Sequence, residues 1–495
     1  MKLRSFLGEL LALLLCFSLA AAAVPGKALT VAGPVAKPRQ LDVAAKPWAG
    51  DFEAMLDRHA IRILAPYSRT LYFNDRGRER GLTADTMRDF ERYLNKKYRK
   101  RLGKRPLTVM IIPTTRDKLL SNLTAGLGDI AAGNLTVTEE RLQQVDFFTP
   151  AELRQVNEIV VSAADRTILN SSDELSGKSV HVRRSSSYRD SLIALNARLK
   201  QAGQPLVDIV LVPDALEDED LMEMVGAGLF GLIVVDDWKA QMWAQILPTI
   251  RLHPGAAVRS GGQVGWAVRQ GSPEILAVLD DFYRANMQKS KLVEQRLKQY
   301  MMRVKQIKNS TGDDDWKRFE ATIALFRKYG ERYHFDPLML AAQGFQESGL
   351  DQRAKSPFGA IGIMQVMPAT GAELGVGSIH VAEANIHAGA KYMDILMSKH
   401  FPDAHFSDAN RPLFAFASYN CGPGNIAKMR KEAVKRGLDP DLWFNNVELV
   451  VAEKIGMETT NYVRNIYKYY VAYRLTQDAI EAARAAREQL QPTGQ

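Results

Sequence analysis

Acid chemistry is written most clearly around Glu347, in the stretch Ala341-Ala342-Gln343-Gly344-Phe345-Gln346-Glu347-Ser348-Gly349-Leu350-Asp351. Asp336 and Pro337 open a helix ahead of it, the first as N-cap and the second at the first helical position. Leu338, Ala341, Ala342 and Phe345 recur at helical spacing and predict a stripe facing a core. Glu347 lies about half a turn off that stripe, and Gly349 ends the run. A carboxylate there meets the negative end of the helix dipole, and burial beside Phe345 adds desolvation. Both effects raise its pKa. A carboxyl group held neutral near working pH is a general acid. A Glu at a helix end is ordinarily a solvated surface residue, so the chemical reading depends on its company. Asp351 and Glu458 are the nearest candidates for a second carboxylate, and neither is dependable.

Other reactive residue types carry less. His380, His387, His400 and His405 lack a metal-ligand spacing and read as structural or surface residues. The acidic run Asp313-Asp314-Asp315 complements the dipole of a helix beginning near Trp316, and no metal or cofactor is expected there or elsewhere. Cys421 is a small packing residue with no base beside it.

These residues must be positioned by a chain of 495 residues, long enough for about three folding units. Its net charge of +9 and pI near 9.3 favour a polyanionic partner: nucleic acid, anionic lipid or an anionic cell-wall polymer. The N-terminus selects among them. Lys2 and Arg4, the apolar run Leu10–Leu19 and Ala20–Ala23 predict a secretory signal peptide over residues 1–23. Cys16 lies inside the apolar run behind Leu15, where a lipoprotein signal needs a small residue. With Cys16 removed, Cys421 is the one thiol left and no intramolecular disulfide can form. An exported chain of this kind is expected in the periplasm, associated with the outer membrane. Nucleic acid then recedes as a partner, and peripheral membrane association comes into view.

Residues 24–54 begin with scattered prolines and read as a linker. From Ile61 strands alternate with helices: Ile61–Leu64, Leu107–Ile112, Gly128–Gly133, Ser179–Val182, Ile209–Val212 and Leu232–Val235 are the strands. The pattern predicts two α/β lobes on mostly parallel sheets, with ligand at the carboxyl ends of the strands. Within it, Gly133-Asn134-Leu135-Thr136-Val137-Thr138-Glu139-Glu140-Arg141-Leu142-Gln143-Gln144-Val145-Asp146-Phe147-Phe148-Thr149-Pro150 resembles the extracellular solute-binding proteins of family 3. That resemblance implies an amino acid's α-carboxylate held by Asn134, Thr136 and Arg141, with Ser186 in the Ser185-Ser186-Ser187 turn of the second lobe. It implies the α-amino group on Asp236. A guanidinium fork matches a carboxylate bidentately; the other reading of Arg141 is a salt bridge to Asp146 or Glu139. Two departures stand out: Ser185 replaces a glycine, and Tyr67-Ser68-Arg69 lacks the family's proline-aromatic pattern.

From Trp316 onward strands vanish. Helices are expected at Trp316–Tyr329, Pro337–Glu347, Pro368–Leu374, Ile386–Lys399, Pro412–Tyr419, Asn425–Arg436 and Asn461–Tyr473, nearly all punctuated by Gly or Pro. Four motifs occur here in order: Glu347-Ser348; Gly362-Ile363-Met364-Gln365 with Pro368; Ala417-Ser418-Tyr419-Asn420-Cys421-Gly422; and Glu458-Thr459 with Tyr462-Val463. Together they resemble the family 1 lytic transglycosylases, whose domain is like goose-type lysozyme. The fold class implied for the chain is multidomain: a two-lobed α/β module like the periplasmic binding proteins, then an all-α lysozyme-like domain. The boundaries read as 55–305 for the module (lobe 1 about 55–152 and 262–305, lobe 2 about 153–261), 306–480 for the helical domain and 481–495 for a disordered tail.

The same resemblance implies the chemistry. Glu347 protonates the leaving oxygen of the β-1,4 bond between N-acetylmuramic acid and N-acetylglucosamine. It then acts as base for the muramic acid's own C6 hydroxyl, which closes a 1,6-anhydro ring without water. Most glycosidases need a second carboxylate; these enzymes do not. Tyr462 would hold Glu347, although the stripe Tyr462, Ile466, Tyr470 also fits a core face. Met364 and Gln365 would line the sugar cleft, Tyr419 would pack beneath a sugar, Asn420 would bond an N-acetyl or hydroxyl group, and Ser348 would join these substrate-binding residues as an aid to Glu347. The expected partners are peptidoglycan glycan strands, with a muropeptide stem or an amino acid in the N-terminal module. The alternative is a periplasmic protein that binds solute and peptidoglycan without catalysis.

Overall fold

The computed structural model describes residues 46–149, 155–286, 295, 298, 301–302 and 308–490. The expected signal peptide, the linker up to residue 45 and residues 491–495 lie outside them. The described structure includes part of the expected linker. The Asp51 side chain accepts hydrogen bonds from the N–H groups of Phe52, Glu274 and Ile275, so one carboxylate caps the helices Phe52–Asp57 and Pro273–Asn286 together. Arg62, fully buried, donates to the carbonyls of Lys46 and Trp48 and to Asp129.

The first lobe contributes β1 (Ala60–Ala65), the hairpin β2 (Phe73–Asp75) and β3 (Arg78–Arg80), β4 (Thr108–Pro113), β5 (Ile130–Thr136) and β6 (Val145–Phe148). The second holds β7 (Val156–Ala163), β8 (Ser179–Arg183), β9 (Asp208–Val212), β10 (Leu232–Asp236) and β11 (Ile250–Gly262), after which β12 (Val264–Arg269) returns to the first. The strand orders are β4-β1-β5-β12-β6 and β11-β7-β10-β8-β9. β1 is buried at every position, as befits a strand covered on both faces. Ile61 and Ile63 pack with Met87, Phe90 and Leu94 in one apolar cluster, while Leu64 packs with Leu119 and Leu123 in another.

The sheets are mixed, where the sequence predicts mostly parallel ones. The parallel strands end at the face between the lobes. A strand crossing over from the other lobe starts at that face and so must run the opposite way: β7 is antiparallel to β10 and β12 to β5.

The helical domain comprises Asp313–Tyr333, Pro337–Ser348, Pro368–Leu374, Ala382–His400, Arg411–Cys421, Pro423–Lys435, Glu448–Lys454 and the long helix Met457–Leu490. Glu448–Lys454 has no counterpart in the sequence reading. The long helix also runs past residue 481, where the sequence predicts a disordered tail; its Ala, Arg and Glu are good helix formers that simply continue the helix.

The two modules share an interface built on the short acidic helix Asp218–Gly226 of lobe 2. Asp220 accepts from Arg69 of lobe 1 (2.9 Å) and from Arg464 (3.0 Å) and Lys468 (3.0 Å) of the long helix. Glu223 accepts from Arg69 (2.7 Å) and Lys468 (2.5 Å), and Arg464 also donates to buried Glu448 (2.7 Å). Every one of these groups is buried. Buried charges persist only when paired in this way. Arg69, which breaks the family pattern in the sequence, is thus the lobe 1 member of the joint.

Candidate active site and ligand cleft

The helix Pro337–Ser348 begins at Asp336, whose side chain accepts from the Leu338 N–H (2.7 Å), and ends at Gly349 in the left-handed region (φ +67°). Those two signals place Glu347 in the last turn, half-buried behind the stripe of Leu338, Ala341, Ala342 and Phe345. Burial raises the Glu347 carboxyl to about 7, against a smaller opposing effect from the Tyr462 hydroxyl, which donates to Oε1. Among the described residues no second carboxylate contributes to that shift. Asp351 is held below the usual range by the Arg353 N–H and guanidinium in a surface turn, and Glu458 is exposed. The arrangement is one neutral carboxyl steadied by one phenol.

The third and second motifs close around this pair. Tyr419, whose hydroxyl burial and the nearby Glu347 carboxylate push well above 10, donates to the Met364 carbonyl (2.7 Å). Gln365 adopts φ +47° and turns its amide N–H groups onto the carbonyls of Gly362 (2.9 Å) and Ala354 (3.4 Å). Asn420 is exposed, and its Oδ1 accepts from the Thr459 hydroxyl (2.8 Å).

Two sequence expectations need correction. Met364 does not line a cleft: its side chain is fully buried, and a Cβ built on Gly389 would meet it at 2.7 Å. Only its backbone faces Tyr419. Ser348 is not a substrate contact either, because its hydroxyl is committed to the carbonyls of Gly344 (3.1 Å) and Ile363 (2.9 Å). It ties the end of the Glu347 helix to the loop that carries Gln365. Two neighbours were missed. Gln343, a buried polar residue about one turn before Glu347 and on the same side of the helix, donates to the Tyr462 oxygen (3.5 Å). Thr459 orients Asn420. The four-residue spacing from Glu347 was the available signal for Gln343.

Between the lobes, the Thr136 hydroxyl meets Ser187 (3.1 Å), and the Arg141 guanidinium donates to the Thr136 carbonyl (2.7 Å). Arg141 makes no salt bridge among the described residues, so Asp146 and Glu139 do not hold it; burial lowers its pKa. Asn134, at φ +48°, accepts from the Trp266 indole (3.2 Å). Ser186 is turned away from the cleft, its hydroxyl on the Arg183 carbonyl (2.8 Å), and Ser187 takes the place expected of it. The reason is local: Ser186 occupies the N-cap of the helix Ser187–Gln201, so the next hydroxyl is the one facing lobe 1. Asp236 is buried, its Oδ1 has no hydrogen-bond partner, and burial lifts its carboxyl to about 6, with Asp218 and Glu158 adding to the rise. Glu158 lies opposite it in register on β7 and accepts from Ser187 (2.8 Å). The sequence reading did not anticipate the ionic group beside them: Glu217 accepts from Arg116 of lobe 1 (2.8 Å) and is ion-paired with the Arg183 guanidinium of lobe 2 (3.0 Å), and Asp218 accepts from Arg183 and Lys239.

Fold and site together define a two-lobed solute-binding module joined to a helical domain with a single catalytic-type carboxyl. Residues 62–302 match the bacterial extracellular solute-binding proteins, family 3, and residues 324–440 match the transglycosylase SLT domain, so the chain carries both modules. Over most of its length it is similar to proteins named membrane-bound lytic murein transglycosylase F. That of Desulfosudis oleivorans is 28% identical over 72% of this chain and 79% of its own. That of Ectopseudomonas mendocina is 27% identical over 86% and 87%. That of Pseudomonas fluorescens Pf0-1 is 26% identical over 95% and 94%. Among solved structures, an ancestral arginine-binding protein bound to arginine aligns with 49% of this chain and 98% of its own, at 20% identity and a TM-score of 0.38.

Proposed function

We propose that the chain is a lytic murein transglycosylase that cleaves the β-1,4 bond between N-acetylmuramic acid and N-acetylglucosamine in peptidoglycan and leaves a 1,6-anhydro end. The observation that carries this reading is Glu347 itself, neutral up to about pH 7 and bonded to Tyr462 without a second carboxylate beside it. A lone acid can protonate the leaving oxygen, but a hydrolase of the common kind needs a partner to activate water or to form a covalent intermediate. Once ionised, the same carboxylate is placed to take the proton of the substrate's C6 hydroxyl. Closure within one sugar gains from proximity, an effect worth up to roughly 7–11 kcal/mol in well-oriented systems. Tyr462 holds the carboxyl through both steps, Gln365 offers its amide oxygen and Asn420 its amide nitrogen to the glycan, and Tyr419 braces the loop. The chain acts in the periplasm, at a membrane.

Within the same reading, the N-terminal module binds an amino acid or a muropeptide stem and controls the enzyme. Arg141 suits a carboxylate, and Asp236, buried with an unpartnered oxygen, suits an ammonium group. The acidic helix supports control: its start (Glu217, Asp218) lies between Arg116, Arg183 and Lys239 at the lobe junction, and its next residues (Asp220, Glu223) are gripped by Arg464 and Lys468, which follow Tyr462 on the same helix.

Replacing Glu347 by Gln tests the catalytic reading. Release of anhydro-muropeptides from isolated peptidoglycan should fall by at least about a thousandfold, since general acid and base roles are lost together, while peptidoglycan binding persists. Undiminished release in the variant would leave the non-catalytic binding protein as the reading to adopt.

A further inference from the structure

Seven of the ten residues from 96 to 105 are basic: Lys96, Lys97, Arg99, Lys100, Arg101, Lys104 and Arg105. All seven are exposed. Lys97 is paired with Asp281, and Arg101 with Glu53 and Asp57; the other five have no salt bridge among the described residues. Two lysines in the last turn of the helix Leu82–Lys97 complement its dipole. That leaves Arg99, Lys100, Lys104 and Arg105 without a structural task. The backbone beneath is fixed, because Leu94, Leu102 and Leu107 are buried in the lobe 1 core. The ridge is therefore a rigid concentration of unpaired positive charge.

Its place in the fold narrows the partner. The segment leads into β4, whose Thr108 pairs with Ala60 at the starting end of β1. Ligand groups and the helical domain lie at the other end of that sheet. Tyr67, Asp75 and Arg76, which follow β1, are the residues that meet Met457, Ala452 and Ile455. A six-residue strand, about 20 Å of sheet, separates the two ends. A wall strand held on the ridge would sit at the pole away from Glu347, whereas a planar anionic surface there would leave Glu347 and the ligand cleft facing away from it. No described helix is long and apolar enough to cross a membrane, so attachment through the described residues has to be peripheral.

We propose that the ridge Lys96–Arg105 docks the protein on a bilayer of anionic phospholipid, with the catalytic domain projecting away from the membrane. A cluster of four to eight Lys and Arg is of the size that binds anionic headgroups electrostatically, and such binding is screened by salt. The ridge itself rests on charge and topology; the choice of a bilayer over the wall rests on the proposed role of Glu347.

The test uses the full mature chain and its triple variants Lys100→Gln/Lys104→Gln/Arg105→Gln and Lys100→Glu/Lys104→Glu/Arg105→Glu. Each is sedimented with vesicles of phosphatidylglycerol and phosphatidylcholine mixed about one to two, and with pure phosphatidylcholine vesicles, at about 0.05 M and about 0.5 M salt. Wild type should bind the anionic vesicles at low salt only and ignore the neutral ones. The Gln variant should bind at least about tenfold more weakly and the Glu variant not at all, while all three release anhydro-muropeptides from isolated peptidoglycan at the same rate and melt at the same temperature. Wild-type binding to neutral vesicles, binding that survives high salt, or unchanged anionic binding by the variants would overturn the proposal. So would variants that lose peptidoglycan sedimentation but keep vesicle binding, which would identify the wall as the partner.

Discussion

Desolvation separates Glu347 from the other carboxylates of the helical domain, and it has two measurable consequences. Because the Tyr462 hydroxyl bonds the carboxylate, it lowers the pKa that burial raises. Activity should fall as pH rises through about 7 in wild type, and in Tyr462→Phe the descending limb should move to higher pH, with turnover reduced about 10–100-fold. A pH–rate profile of both proteins checks this; an unmoved limb would mean that Tyr462 only packs. The second consequence concerns stability. The folded chain keeps a proton on Glu347 between about pH 4.5 and 7 that the unfolded chain has released, so this group's contribution is complete below about 4.5 and is lost as pH rises through 7. Glu347→Gln should therefore match wild type near pH 4 and melt higher near pH 8, by an amount on the order of 1–3 kcal/mol. At this scale the sequence is highly legible. Cap, stripe and terminating glycine locate Glu347 from local rules alone. Met364 and Ser348 are misread because a motif reveals which residues are near a site but not which way each side chain points.

Two elements position the site, and each can be disturbed separately. The Gly362–Gln365 loop rests on the helix Ala382–His400, where Gly389 leaves room for the Met364 side chain. Gly389→Ala places a methyl group 2.7 Å from Met364 Cγ and 2.8 Å from its Cβ, close to the backbone, so the loop itself must shift. Overpacking of this kind costs about 1–3 kcal/mol, and turnover should drop while the fold survives; calorimetry and product release on the one variant measure both. The acidic helix Asp218–Gly226 is the second element. Asp220 faces Arg69, Arg464 and Lys468, all buried, and their charges hold its carboxyl far below the ordinary range. Asp220→Ala leaves three buried cations short of an anion and should cost about 3–5 kcal/mol, read as a lower thermal midpoint. The sequence reading has no helix between β9 and β10 and no sign that charges there are buried; Asp-Glu-Asp at a helix start looks like a solvated N-terminus until a second module covers it.

Across the whole molecule, the acidic helix touches both the lobe junction and the helix that carries Tyr462, and the proposed control would act through those contacts. Arg141→Ala should abolish binding of amino acids or stem peptides, measured by calorimetric titration, and remove any effect of such ligands on anhydro-muropeptide release. Its release without ligand should equal wild type; a loss of basal activity would argue against a purely sensory module. The order of modules, the α/β and then helical texture and the acid Glu347 follow from local periodicity, capping and motif spacing, which the chain carries within windows of ten or twenty residues. The direction of β7 and β12, the hydroxyl of Ser187 in place of Ser186, the orphaned oxygen of Asp236 and the joint of Arg69 with Asp220 and Lys468 come from segments far apart in sequence. Burial and charge pairing between such segments exist only once the chain has closed on itself, and there the tertiary structure alone decides.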